Sequence, residues 1–137
     1  MSTQDIELWL ENSDLVVTTV ASGYWQVELA HKHAVYILHI RVHNGWLSLG
    51  AELLTYSVDN NPDTIQQFRE FYLPYNETLN AAHISEKNRR VSLINNDFLS
   101  DINEDTLERE VEYFHETHAH MYPILMYEAR AIGLKLE

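Results

Sequence analysis

The chain has 137 residues, 21 acidic against 9 basic, and the formal charge of −12 argues against a phosphate backbone or an anionic membrane as its main partner. It has no cysteine, which removes disulfides, thiol nucleophiles, iron–sulfur clusters and cysteine-ligated zinc. The four glycines stand apart at 23, 45, 50 and 133, so neither a GxGxxG nor a P-loop phosphate cradle can be written.

The first residues, Met1 to Glu7, carry acids where a signal peptide needs bases, and no apolar run approaches the ~18 residues of a membrane span. The expected location is the cytoplasm. A chain of this length buries roughly two-thirds of its unfolded surface, enough for one core, and a single domain over 1–137 is expected. Ser2 to Asp5 offer helix caps, and Ile6, Trp9 and Leu10 follow at helical spacing, so a helix is predicted over 3–11.

From Leu15 the hydrophobic period becomes two. Leu15–Val20 is rich in β-branched residues and breaks at Ser22-Gly23. Trp25, Val27 and Leu29 alternate with polar or small neighbours, and Tyr36, Leu38, Ile40 and Val42 do the same. Asn44-Gly45 is a strong hairpin signal before Trp46, Leu47 and Leu49. Four antiparallel strands with one covered and one wetter face are expected.

Asn61 caps a second predicted helix with Pro62 at its first position. Ile65, Phe68, Tyr72, Tyr75 and Leu79 form its buried stripe, while Phe71 and Leu73 lie off that stripe. Pro74 is expected to kink the helix near Glu70. Apolarity on two sides points to a second subunit, with Phe68, Phe71 and Tyr75 as interface candidates. A hairpin follows, Ala82–Ser85 and Val91–Ile94 joined by Glu86 to Arg90, and then a loop over 97–105. Asn103 caps a last helix whose stripe runs Leu107, Val111, Phe114, His118, Met121 and Leu125, with Pro123 expected to bend or end it near Tyr122.

Eight histidines are the one unusual count. His115-Glu116-Thr117-His118 falls one residue short of HExxH, since Ala119 stands at i+4. His115 and His118 could still share a helix face as metal ligands. Against this, His118 holds a core position, and the structural reading is preferred. His31-Lys32-His33 lacks the glutamate of a cupin metal motif and reads as a polar turn. No serine sits in GxSxG. No cofactor is implied. From Asp101 to Glu128 there are eight acids to one arginine, so the last helix presents a negative face, with Glu108 and Glu112 as candidate contacts for a basic partner. Lys87, Arg89 and Arg90 are too few to support nucleic-acid binding. Trp25 and Trp46 read first as core anchors and second as partner-binding residues.

The order α-ββββ-α-ββ-α, an α+β fold with an antiparallel meander and a hairpin packed against helices, resembles the type III secretion chaperone-like family, and most of all its YbjN-type branch. The resemblance is carried by Leu73-Pro74-Tyr75-Asn76, Ala82–Ser85, Val91-Ser92-Leu93, Asp101–Leu107 and Tyr122–Leu125. It implies a small acidic homodimer that binds another protein and has no catalytic residues.

Overall fold

The computed structural model describes residues 1–137. The elements are α1 (Thr3–Glu11), β1 (Val16–Ala21), β2 (Tyr24–His31), β3 (Ala34–His43), β4 (Trp46–Thr55), α2 (Pro62–Tyr72), β5 (Ala82–Lys87), β6 (Arg90–Phe98) and α3 (Glu104–Ala131). This is the expected α+β order. The strands form one antiparallel sheet in the order β1-β2-β3-β4-β6-β5, so the later hairpin joins the meander through its second strand.

Local chemistry accounts for the helix starts. Ser2 and Asp5 cap α1 reciprocally, and Asn103 and Thr106 do the same for α3. The Asn61 side chain accepts the Asp63 N–H, and Pro62 fills a position whose backbone donor is not needed. Asn44 and Gly45 both have positive φ, 50° and 80°, the geometry of a type I′ hairpin turn. Asn88 and Arg89 repeat that geometry at 53° and 65°. The β5–β6 connection is therefore two residues long, where a longer turn from Glu86 to Arg90 was expected. Arg89 is held there by Nη1 donating to the Tyr56 carbonyl at 3.1 Å.

The kink expected at Pro74 and the helix end expected near Pro123 need correction. Pro74 does not kink a helix running to Leu79. The α-helix ends at Tyr72 and gives way to a 3₁₀ segment, Leu73–Glu77, a tighter winding common at helix ends. Pro123 neither ends α3 nor stops it near Tyr122, because the helix continues to Ala131. The missing donor costs a few kcal/mol in an isolated helix. Here Met121, Leu125 and Ala129 are fully buried on both sides of the proline and hold the helix to the sheet. The expected loop over 97–105 is shorter too, since β6 reaches Phe98 and a 3₁₀ turn spans Leu99–Asp101.

The helices pack on one sheet face. Ile6, Leu10, Phe68, Leu107, Phe114 and Leu125 join Trp25, Val27, Leu38, Leu49 and Leu93 in one buried cluster. A polar clamp adds direction at the end of α2. Glu86 of β5 accepts from Arg69, from the Tyr56 hydroxyl at 2.8 Å and from the Tyr72 hydroxyl at 3.0 Å. Burial alone would raise the Glu86 pKa, but these donors outweigh it and hold the carboxyl below its ordinary range.

Candidate functional site

The opposite sheet face carries no helix. Its centre is set by a parting of two strands. β3 and β4 pair from His43–Trp46 to His39–Gly50 and no further, although both continue. β4 stays paired to β6, and its register shifts between Glu52 and Leu54. That irregularity bends β4 away from the first half of β3. The result is a groove of about 650 Å³ on the uncovered face, lined among others by Ile37, His39, Arg41, Gly50, Ser92 and Ile94.

Register places these side chains in rows. Tyr24, Arg41, Ser48 and Asn96 face one another across the strands. The next row is Gln26, His39, Gly50 and Ile94. Exposed apolar side chains mark both ends of the groove, Val35 and Ile37 in its wall at one, Trp46 and Phe98 beyond it at the other. Trp46 is 43% exposed, Phe98 is 55% exposed, and their ring centroids are 4.3 Å apart.

Electrostatics in the groove run against the sign of the whole chain. Arg41 forms no salt bridge, and its guanidinium lies 4.3 Å from the centre of the Tyr24 ring. The Tyr24 hydroxyl meets His39 Nδ1 at 2.7 Å and accepts from Gln26 at 3.2 Å. Burial and the charges of Arg41 and Arg90 all push the His39 pKa down. For Tyr24, burial acts upward, but hydrogen bonds from Arg41 and Gln26 and the Arg41 charge prevail and lower it. Arg90 faces Glu52 at 3.5 Å.

At the parted end, α3 reaches through to the strands. His118 is fully buried, and burial pushes its pKa down to about 4. It is therefore neutral, and its hydrogen bonds settle the tautomer. The Glu52 carbonyl can only accept, so His118 Nε2–H donates to it at 3.0 Å. His118 Nδ1 then accepts from His31 Nε2–H at 2.9 Å, and His31 Nδ1 accepts the His33 backbone N–H at 3.1 Å. The chain of donors runs one way, from His33 through His31 and His118 to Glu52. His118 thus satisfies a carbonyl of β4 beyond the last paired β3 residue. The Tyr36 ring stacks on His118 with centroids 3.7 Å apart and planes 11° apart. Its hydroxyl meets His115 Nδ1 at 2.8 Å, and burial raises the phenol pKa well above its usual range.

A second polar cluster lies between α3 and β6. Asn95 is 1% exposed, and neither polar atom of its side chain has a partner. Asp97 Oδ2 and Glu110 Oε2 are buried as well and receive no donor from the rest of the chain. Burial pushes the Glu110 pKa up to about 8, and the adjoining Asp97 carboxyl adds to the shift.

The structure sorts the sequence candidates. Trp25 is 1% exposed and is a core anchor, so it offers nothing to a partner. Phe68 is equally buried and cannot form a subunit contact, because the helix stripe spends it on the core. Phe71 and Tyr75 are half-buried and meet edge to face at 5.7 Å, with Leu73 exposed beside them. Glu108 and Glu112 are exposed on α3, whereas Glu110, one of the same acidic run, points inward. His115 and His118 do come close, but both His118 nitrogens are engaged, and no three His, Asp or Glu side chains are placed to hold a metal ion. His31, placed in a polar turn by the sequence, instead ends β2 and bonds to a residue 87 positions away. Arg41, His39 and Tyr36 went unnoticed as a group. The one available signal was strand parity, which puts Arg41 and His39 on the wetter face.

No family model matches the sequence. No curated protein matches it either. Solved structures do match. YbjN from E. coli, a candidate transcription regulator, superposes with a TM-score of 0.66 at 11% identity over 100% of this chain and 96% of its own. The chain has the secretion chaperone-like, YbjN-type fold. The heterodimeric ExoU–SpcU complex from the type III secretion system of Pseudomonas aeruginosa matches with a TM-score of 0.55 at 18% identity, over 86% of this chain and 95% of that one. The HopA1–SchA chaperone–effector complex gives 0.52 at 15%, over 87% and 88%. No helix is long and apolar enough to cross a membrane.

Proposed function

We propose that this chain is a non-enzymatic protein-binding module, a single domain acting as a homodimer in the cytoplasm. The observation carrying this reading is the uncovered sheet face, where Val35, Ile37, Trp46 and Phe98 stay exposed on a fold shared with chaperone–effector complexes. Exposed aromatic pairs of this kind serve as binding hot spots. Glu108 and Glu112 offer a second, negatively charged surface on α3, on the other side of the sheet. The subunit contact is assigned to Phe71, Leu73 and Tyr75 around the α2 end. The non-enzymatic reading is supported by structural neighbours described as a candidate transcription regulator and as a chaperone–effector complex.

Sedimentation equilibrium of the wild type is expected to give twice the 16.0 kDa chain mass, and Phe71→Asp is expected to give the monomer. A photo-crosslinker at position 46 is expected to capture one defined protein, whose purified form binds the wild type and not Trp46→Asp. A monomeric wild type would remove the dimer. Equal binding by Trp46→Asp would move the partner site off this face.

A further inference from the structure

We infer that the groove at the centre of the uncovered sheet face binds a small organic anion, its carboxylate or phosphate seated between Arg41 and His39 and its apolar body along Ile37 and Ile94. This is a ligand site in its own right and does not depend on the protein-binding reading. Four observations converge on it.

The first is charge. In a chain of −12, Arg41 is a guanidinium with no carboxylate partner, so its charge is available to a ligand. The second is preorganisation. The Tyr24 ring holds the Arg41 head, and the Tyr24 hydroxyl occupies His39 Nδ1, which leaves Nε2 for a ligand. A planar guanidinium fixed this way loses little freedom when it takes a carboxylate or phosphate.

The third is the floor. Gly50 lies in the middle of a strand, where glycine costs roughly 0.5–1 kcal/mol relative to alanine. Its φ is not positive, and a Cβ there would meet only ordinary contacts, 3.8 Å to Ile94 Cδ1 and 3.9 Å to the Leu93 carbonyl. The backbone therefore does not require glycine at 50. What the missing side chain does provide is an open floor between His39 and Ile94, the residues opposite it on either side. The fourth is size and polarity. At about 650 Å³ the groove matches a small-molecule site. The one acid in its lining, Glu52, is answered by Arg90 and does not cancel Arg41.

The test is a nuclear magnetic resonance titration of the full chain, labelled with nitrogen-15, using benzoate, phenyl phosphate and neutral benzamide as probes. Saturable shifts at the Arg41 Nε–H and the Gly50 amide are expected with at least one anion and not with benzamide; the better of the two anions identifies the head group. Arg41→Gln is expected to weaken binding about tenfold or more. Gly50→Val, which suits a strand, is expected to fill the floor and abolish binding without lowering the melting temperature. Shifts that fail to saturate, that benzamide reproduces, or that survive in Arg41→Gln would overturn the site.

Discussion

His118 and Glu110 lie eight residues apart on α3, and both turn a titratable side chain into the interface between helix and sheet. Around His118 every polar atom is used, because a one-way chain of donors ends on the Glu52 carbonyl. Around Glu110 the one partner is the Asp97 carboxyl, which can accept only from the protonated form, while the Asn95 amide on the same strand as Asp97 has nothing to bond. Burial acts on both but with opposite sign, since it favours whichever form is uncharged. Imidazole loses its proton and becomes a good neutral link. The carboxyl keeps a proton that it would give up in water. Burial of a polar group is thus tolerable where its neutral form has a partner, as for His118 and Glu110, and costly where it does not, as for the Asn95 amide.

The largest expected effect comes from breaking the satisfied side. His118→Ala strands the Glu52 carbonyl and the His31 donor and leaves a cavity under Tyr36, so a loss of about 3 kcal/mol is expected in urea unfolding. A loss under about 1 kcal/mol would mean that the chain of donors contributes little.

The two residues also pull stability in opposite directions with pH. Folded His118 titrates near 4 and the unfolded imidazole near about 6.5, so the unfolded chain takes up the proton first as pH falls. Its contribution is complete above about 6.5 and is lost toward pH 4, on the order of 2 kcal/mol. Folded Glu110 titrates near 8 against about 4.3 unfolded, so its contribution is present at low pH and lost as pH rises toward 8. Where the windows overlap, between about 4.5 and 6.5, the slopes offset each other, and a decline follows from 6.5 to 8. Glu110→Gln is expected to remove that decline and to stabilise the protein at pH 8 by about 1 kcal/mol after solvent screening. Chemical denaturation at half-unit pH steps reads both; an unchanged slope in Glu110→Gln would place the titrating group elsewhere.

Smaller effects sharpen the contrast. Asn95→Leu removes two unpartnered polar atoms from the core and is expected to raise stability by about 1 kcal/mol, measured by thermal melting. Destabilisation would show that the amide is satisfied in solution. Tyr36→Phe keeps the stack on His118 and loses only the bond to His115, so a change of about 0.5–1 kcal/mol is expected. A loss as large as that of His118→Ala would make the hydroxyl, not the imidazole, the main support.

Much of the fold was legible in particular residues. Alternation at Trp25, Val27, Leu38 and Ile40 predicts the strands because one sheet face is buried and the other is not. Asn44-Gly45, Asn61-Pro62 and Asn103 marked their turn and helix starts because those side chains act on their own neighbours in sequence. The site was much less legible. Nothing local announces that β4 changes register after Glu52, and without that shift there is no groove. Periodicity separates Phe68 from Phe71, but it does not say that Tyr72 is core while Tyr75 of the same stripe stays half-buried, since the α-helix ends between them.

From its sequence alone this protein is an acidic α+β chain with a meander, a hairpin and three helices, because periodicity, caps and turns are short-range physics. The tertiary structure alone decides that β6 and not β5 adjoins β4, that His31 bonds to His118, and that Glu110 points inward while Glu108 and Glu112 stay in water. It also decides where charge matters. The net value of −12 belongs to the whole chain, whereas the surroundings of the unpaired Arg41 arise from strand pairing, which sets Tyr24 and Ser48 on either side of it and Gly50 beside His39. Desolvation and hydrogen bonding depend on neighbours in space, and those neighbours exist only once the sheet has formed.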